Sequence, residues 1–208
     1  FNPPNSAPTQ ITSGKFDGRS GLAWTPDGHI VYVTRANQHE DVWIMNADGT
    51  DQKQLTDDAT QEETPVVSPD GRQIYFVSTR TGSQQVWRMD LDGSRLKRVT
   101  EGEAINWEPS CSPDGKWIGF CARNRLLKIP LAGGRPTPLA NVQTCYGASW
   151  GENDHIVYSP GPDAGLRRVA ATGGESTEVT KLLPEDEGND HRWPQVLPGK
   201  RGILFTVG

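Results

Sequence analysis

Short runs rich in valine, isoleucine, aromatic residues and threonine recur along the chain, each bounded by glycine, proline or aspartate. The clearest unit has such runs at 65–67, 73–78, 85–90 and 96–100, with turn residues between them. Runs of this length and composition predict β-strands, and strands this short cannot bury a face alone. The pattern therefore predicts a set of four short strands that stacks against neighbouring sets.

A Ser-Pro-Asp-Gly turn at 68–71 joins the first two strands of that unit, and it recurs in the same setting. Copies lie at 25–28 and 112–115, and degraded copies lie at 151–154 and 197–200. Proline presets the first central φ of a tight turn, aspartate can bond back to the backbone, and glycine takes a positive φ. The copies follow one another at intervals of about forty residues, which is typical of β-propeller blades.

The repeat predicts an all-β fold, a β-propeller of four-stranded antiparallel blades with four full blades and an incomplete fifth. Two arrangements fit: the terminal strands close a five-bladed ring, or the chain is cut from a larger propeller. We favour the second, because the incomplete blade has no third strand. The predicted parts are an outer strand at 8–13, blades at about 21–57, 64–101, 107–141 and 147–181, and a partial blade at 192–208.

Charge and composition argue against several classes of function. The formal charge of −5 and the pI near 5.4 disfavour binding to a nucleic-acid backbone, which needs a concentrated basic face. No stretch approaches the roughly 18 to 20 apolar residues of a membrane span. The first residue is Phe1 rather than methionine, which indicates a processed form or a fragment. Cys111, Cys121 and Cys145 match neither a disulfide framework nor a metal pattern, and Cys111 is predicted to be a small buried hydrophobe.

The links that lead from one blade into the next supply the candidate site. They lie at 61–64, 106–108, 145–147 and 190–193, and their repeated position should bring them together around the central channel. Aromatic faces can stack on a peptide or glycan there, while carboxylates and an arginine can fix its polar groups. Alternatively, the tryptophans pack between blades and the glutamates are plain surface charges. The ligand-binding candidates are Glu62, Glu63, Trp107, Glu108, Tyr146, His191, Arg192 and Trp193.

The sequence predicts no catalytic residue, no metal site and no cofactor. It lacks a Gly-x-Ser-x-Gly elbow, a kinase glycine loop and a His-Arg-Asp motif. His191 is the only histidine of the predicted rim, and a lone histidine is no metal site. The acidic segments at 46–49 and 90–93 lack the ligand spacing of a calcium loop and are predicted to be hairpin turns. The acidic run at 184–190 is predicted to be a solvated loop, with an acidic lip or an adventitious cation site as the alternative.

The strands and turns resemble the Pro-Asp-Gly repeats of TolB-like propellers. Segments 21–57 and 64–101 each carry the turn, an Ile-x-Phe/Tyr-Val strand, a Val-Trp-x-Met strand, an Asp-Gly turn and a final Leu-Thr or Val-Thr pair. Segments 147–151 and 191–199 also look like the propellers that follow the membrane segment of some bacterial serine/threonine kinases. Similar repeats precede the hydrolase domain of prolyl-oligopeptidase-type peptidases. The resemblance implies a periplasmic or extracytoplasmic location.

The resemblance also implies a non-catalytic interaction or sensing module that binds a protein, peptide or envelope component at its channel face. No enzyme activity is expected. The alternative is a propeller enzyme or substrate-gating domain, associated with a lyase or a peptidase, and a purely structural spacer is a third hypothesis. A protein or peptide is the expected partner and nucleic acid is not, while unpaired strand edges predict edge-to-edge self-association.

Overall fold

Antiparallel strands account for almost all regular structure in the part of the chain that the structure describes. The computed structural model describes residues 9–12, 21–36, 39–58, 60–102, 107–183 and 189–208. A 3₁₀ turn at Pro198–Lys200 accompanies the strands, and no helix in these ranges is long and apolar enough to cross a membrane. The strands are β1 (Leu22–Trp24), β2 (His29–Ala36), β3 (His39–Asn46), β4 (Lys53–Gln54), β5 (Glu62–Val67), β6 (Gln73–Ser78), β7 (Gln85–Asp90), β8 (Lys97–Arg98), β9 (Trp107–Cys111), β10 (Trp117–Ala122), β11 (Arg125–Pro130), β12 (Thr137–Asn141), β13 (Ala148–Trp150), β14 (His155–Tyr158), β15 (Arg167–Ala170), β16 (Thr177–Glu178), β17 (His191–Val196) and β18 (Ile203–Val207).

The strands of the described residues form four four-stranded sheets and one two-stranded sheet. In each sheet the strands pair antiparallel in chain order, so every sheet is one blade. We number the blades 1 to 5 along the chain, from β1–β4 to the two-stranded pair β17–β18. The prediction of an all-β propeller built from four-stranded antiparallel blades is confirmed.

The hydrophobic core lies between successive blades. In β6, the fully buried side chains of Ile74 and Phe76 pack with Val31 of blade 1. Tyr75, between them in sequence, packs on the opposite face with Phe120 of blade 3. A strand buried on both faces reads as a continuous apolar run, which is why the second strand of each blade is so apolar. This stacking places the inner strands β1, β5, β9, β13 and β17 side by side.

The segment near the N-terminus differs from the prediction of an outer strand at 8–13. Residues 9–12, the part of it that the structure describes, pair with no sheet. Ile11 still packs against the apolar face of blade 1. Its carbonyl group lies against the Asp-Gly turn of blade 1, as the carbonyl group of Leu55 lies against that of blade 2. A strand needs a neighbour to pair with, and the described part of blade 5 offers no third strand.

Cys121 and Cys145 form a disulfide bond, with their Cα atoms 6.2 Å apart. The prediction that the cysteines form no disulfide framework is therefore wrong for this pair. Cys121 lies in β10 of blade 3, while Cys145 lies in the link that enters blade 4. The two residues are 24 positions apart, and only the stacking of the blades brings them together. Cys111 keeps a free thiol and is partly buried in the cluster between blades 2 and 3.

Blades 1 and 5 both present exposed apolar side chains. Leu22 and Trp24 of blade 1 are 63% and 57% exposed, and Leu204 of blade 5 is 59% exposed. Apolar side chains that face a neighbouring blade are covered by the stacking of the blades. Among the described residues, therefore, the terminal strands do not join blade 5 to blade 1, as closure of a five-bladed ring would require.

Candidate functional site

The inner strands of blades 2 and 5 each contain a β-bulge near their start. The pairing register of β5 shifts between Glu63 and Val66, and that of β17 shifts between Arg192 and Gln195. Each bulge contains a proline, whose missing N–H is tolerated where the ladder is interrupted. Because a bulge bends the strand and re-aims its side chains, these two bulges set the direction of the link residues at this end of the blades.

The residue before proline in each bulge has a left-handed backbone conformation. The φ angles are 49° at Thr64 and 48° at Trp193. Glycine occupies the matching position in blade 1 (Gly21, φ 76°) and in blade 4 (Gly147, φ 103°). A side chain in this region costs about 1–3 kcal/mol and persists only where the surroundings hold it. Thr64 and Trp193 are therefore strained positions at the same end of the blades.

Trp193 is held by the neighbouring blade, yet its side chain is exposed. Its N–H donates a hydrogen bond to the carbonyl oxygen of Tyr146, with an N···O distance of 2.7 Å. Its side chain is 54% exposed, so it does not pack between blades in the way the alternative interpretation expects. The side chains of Trp107 and Glu108, also predicted for the rim, lie outside what the structure describes.

Arg192 joins the two aromatic residues into one surface. Its guanidinium carbon lies 4.4 Å from the centroid of the Tyr146 ring and 6.0 Å from that of the Trp193 ring. The guanidinium also pairs with the buried carboxylate of Asp190 through Nε and through Nη2, with Nη2 3.0 Å from Oδ2. These hydrogen bonds raise the pKa of Arg192. We call Tyr146, Arg192 and Trp193 the aromatic ledge. The positive charge of Arg192 is balanced by the carboxylate of Asp190.

His191 lies beneath the ledge and is almost completely buried. Its Nδ1 lies 2.6 Å from the hydroxyl oxygen of Thr180, and its ring centroid lies 4.6 Å from that of Phe205. The Thr180 hydroxyl also accepts a hydrogen bond from the N–H of Leu166. His191 therefore supports the packing of blade 5 on blade 4 and offers no surface to a ligand in this structure.

Glu62 is fully buried at the start of β5. Its Oε1 accepts hydrogen bonds from the hydroxyl groups of Thr60 (2.8 Å) and Ser78 (3.1 Å) and from Nη2 of Arg80 (2.7 Å). Its Oε2 is buried without a hydrogen-bond partner among the described residues. Burial raises the pKa of Glu62 to about 7, and the charge of Arg80 opposes this rise. Glu62 is therefore an internal group of blade 2 rather than a surface contact.

Arg80, the main partner of Glu62, is not among the residues predicted from the sequence. Its Nη2 also lies 3.1 Å from a carboxylate oxygen of Asp58, and its guanidinium lies 4.8 Å from the centroid of the Trp87 ring. Asp58 belongs to the link from blade 1, so Arg80 ties this link to blade 2. The signal in the sequence is indirect: Arg80 closely follows the apolar residues 74–77, and a charged side chain beside a buried strand is seldom buried without a partner.

The predicted rim residues thus fall into two groups of contacts. Tyr146, Arg192 and Trp193 form the aromatic ledge between blades 4 and 5. Glu62 contacts the side chains of blade 2, and the half-buried Glu63 accepts a hydrogen bond from Nε2 of Gln84, with an N···O distance of 3.3 Å. Among the predicted candidates whose side chains the structure describes, the glutamates of blade 2 do not contact the aromatic ledge.

The family model for the TolB beta propeller domain matches residues 7–194, which is most of the chain. The chain belongs to the TolB β-propeller family. The TolB-type repeat of this chain is therefore a four-stranded blade with a Pro-Asp-Gly turn, and its apolar core lies between successive blades.

Solved structures place this TolB-type propeller among its relatives. A candidate TolB from Agrobacterium tumefaciens is 29% identical, with a TM-score of 0.58 over 64% of this chain and 52% of that one. TolB from Acinetobacter baumannii is 24% identical, with a TM-score of 0.63 over 81% of this chain and 47% of that one. An uncharacterised protein of Agrobacterium fabrum is 40% identical over 60 residues, which cover 28% of this chain and 20% of that protein. The chain therefore spans about half the length of the two TolB structures.

Two enzymes share the fold of this TolB-type propeller. They are an oligogalacturonate lyase from Vibrio parahaemolyticus and a puromycin-hydrolysing peptidase of Mycobacterium tuberculosis, at 13% and 16% identity. Identities this low show a common fold and nothing about activity. In the part of this chain that the structure describes, no three His, Cys, Asp or Glu side chains are grouped closely enough to hold a metal ion.

Proposed function

We propose that this chain is a non-catalytic interaction module that binds a protein or peptide at the end of the blades where the inner strands begin, through the aromatic ledge. One observation carries the proposal. Trp193 exposes more than half of its side chain although its backbone is held in a strained, left-handed conformation by Tyr146. Strain of this kind clusters at ligand-binding positions, and exposed tryptophan is a common anchor of protein interfaces.

The chemistry of the ledge suits a peptide. Tyrosine, tryptophan and arginine are the residue types that contribute most to binding at interfaces. Asp190 and Tyr146 hold the guanidinium of Arg192 in place, so little side-chain freedom remains to be lost when a partner binds. Because Asp190 balances the charge of Arg192, the ledge favours stacking with apolar or aromatic peptide side chains over the capture of a free carboxylate.

An extracytoplasmic, periplasmic location is part of this proposal. The disulfide between Cys121 and Cys145 supports it, because such bonds persist in oxidising compartments and are rare in the reducing cytosol. Self-association through unpaired strand edges, and the absence of nucleic-acid binding, stay predictions. No contact among the described residues favours the alternative of a propeller enzyme or gating domain.

The proposal is tested by panning a displayed peptide library against the protein and measuring the affinity of the enriched peptides by calorimetry. Trp193→Ala should weaken binding by at least about tenfold, the effect expected of an interface anchor. Trp24→Ala is the matched control, because Trp24 is equally exposed but lies in blade 1. If both variants bind the enriched peptides as tightly as the native protein does, the ledge is not the binding site.

A further inference from the structure

The link that carries Tyr146 into blade 4 is held at both ends by backbone hydrogen bonds. Near its start, the N–H of Gln143 donates to the carbonyl oxygen of Pro160, with an N···O distance of 2.7 Å. At its end, the carbonyl oxygen of Gly147 accepts the N–H of Ser159, with an N···O distance of 3.0 Å. Both partners follow β14 directly in the chain, so the two ends of the link are fixed to blade 4.

The middle of this link, residues 144–146, is held in a different way. Among the described residues, no backbone N–H of this segment donates a hydrogen bond to another backbone group. The segment is tied instead by the disulfide between Cys145 and Cys121, whose Cα atoms are 6.2 Å apart. Cys121 lies in β10 and belongs to the buried core between blades 3 and 4. The disulfide therefore connects the middle of the link to a rigid strand.

The position of Cys145 carries an anchored residue in two other links. It lies two residues before the left-handed residue of the inner strand, as do Glu62 in blade 2 and His191 in blade 5. Glu62 is held by the guanidinium of Arg80, and His191 is held by the hydroxyl of Thr180. An ion pair, a hydrogen bond and a disulfide thus do the same work in three links. Of these three anchors, the disulfide is the one that a reductant breaks.

Tyr146 follows Cys145 directly and contacts both other members of the aromatic ledge. Its carbonyl oxygen accepts the N–H of Trp193, with an N···O distance of 2.7 Å, and Trp193 has a left-handed backbone. Its ring centroid lies 4.4 Å from the guanidinium carbon of Arg192. Adjacent Cα atoms are about 3.8 Å apart, so a displacement of Cys145 moves Tyr146 with it. The geometry of the ledge therefore depends on where Cys145 is held.

We propose that the disulfide between Cys121 and Cys145 positions the aromatic ledge, so that the ledge takes its binding geometry only after oxidation of the chain and loses it on reduction. Oxidation passes two electrons and two protons from the two thiols to a disulfide oxidant, which becomes a dithiol, and a dithiol reductant reverses the step. As a statement about ligand binding, this regulation rests on the proposed function of the ledge. It confines peptide binding to oxidising compartments.

The first test needs no ligand and follows amide hydrogen exchange at two residues of β17 by NMR. The N–H of Trp193 donates to Tyr146, and the N–H of Val196 donates to the hydroxyl oxygen of Ser149, so both bonds join blade 5 to blade 4 or its link. Reduction by a dithiol should accelerate exchange at Trp193 at least about tenfold more than at Val196, because only the first bond depends on Cys145.

The second test measures the affinity of the peptides that panning enriches against the oxidised protein. Cys145→Ser removes the disulfide and should weaken binding at least about tenfold, as Trp193→Ala does. Cys111→Ala is the matched control in both tests, because it removes a thiol and keeps the disulfide. It should leave peptide affinity and exchange at Trp193 unchanged. Cys121→Ala combined with Cys145→Val replaces the bond with two apolar side chains, and it serves both tests if the reduced protein or Cys145→Ser unfolds.

Equal acceleration at Trp193 and Val196 overturns the proposal, because the bond then stabilises the whole chain rather than the ledge. Unchanged exchange at Trp193 overturns it as well. If Trp193→Ala weakens peptide binding and Cys145→Ser does not, the regulation is wrong and the proposed function stands. If Trp193→Ala has no effect, the proposed function is wrong, and the exchange rates alone decide whether the disulfide positions the ledge.

Discussion

A carboxyl group buried as completely as that of Glu62 links the stability of a single blade to pH. Three donors satisfy one of its oxygens, while the other has no hydrogen-bond partner among the described residues. The charge of Arg80 lowers the cost of the ionised form but does not cancel the effect of burial. Protonation removes the charge from the interior, so the folded state holds this proton more tightly than the unfolded chain does.

Glu62→Gln should flatten the pH dependence of stability in the range where Glu62 titrates. The pKa rises from 4.5 in the unfolded chain to about 7 in the folded one. The stability that this group contributes is therefore complete below about pH 4.5 and is lost as the pH rises to about 7. The loss should reach up to about 3 kcal/mol of unfolding free energy, and urea unfolding across this range measures it.

Glu175→Gln is the control for this substitution, because it removes one carboxylate from an exposed loop. It should keep the pH dependence of the native protein. An equal decline of stability with pH in the native protein and in Glu62→Gln would show that another group is responsible.

At the scale of the element, the Pro-Asp-Gly turn is held by the same hydrogen bonds in three blades. A serine or threonine before the proline donates its hydroxyl proton to the aspartate of the turn, and it accepts the N–H of the first residue of the next strand. Both bonds lower the conformational freedom of the turn, and the first lowers the pKa of the aspartate. The groups are Thr25, Asp27 and His29 in blade 1, Ser68, Asp70 and Gln73 in blade 2, and Ser112, Asp114 and Trp117 in blade 3.

Ser68→Ala should raise the pKa of Asp70 towards its ordinary value and lower stability by about 1 kcal/mol, because Gln73 loses the acceptor for its N–H. In the native protein the lowered pKa adds stability above the ordinary pKa of aspartate, and this is lost as the pH falls through the folded value. An NMR titration of the Asp70 carboxyl carbon measures the pKa. Ser68→Thr is the control, since blade 1 has threonine there, and an unchanged pKa in Ser68→Ala would contradict the role of the hydroxyl.

At the scale of the whole molecule, covalent and packing contacts together join the blades. The disulfide connects blade 3 to the link that enters blade 4, and Cys121 lies in the same cluster as Trp150 and Tyr158. Blade 5 has two strands among the described residues, and its Leu204 is exposed.

Reduction of the disulfide should lower the unfolding free energy by about 3 kcal/mol, because it releases a constraint on a loop of moderate length in the unfolded chain. Urea unfolding with and without reductant measures the change. Titration of thiols in denaturant should find one, from Cys111, before reduction and three afterwards. Three thiols in the unreduced protein would show that the bond does not form.

The sequence by itself determined the strands, the turns and their repetition. These features follow from local physics: alternation and β-branched residues favour short strands, and proline, aspartate and glycine favour tight turns at fixed positions. The members of the aromatic ledge could also be predicted, because Tyr146, Arg192 and Trp193 lie in the links that enter successive blades.

Only the tertiary structure decided the environments of individual side chains. It buried Glu62 and His191, gave Glu62 the partner Arg80, and joined Cys121 to Cys145. Each of these outcomes depends on how one blade, or the link that enters it, packs against its neighbours, and the order of residues within a repeat carries no direct signal of that packing.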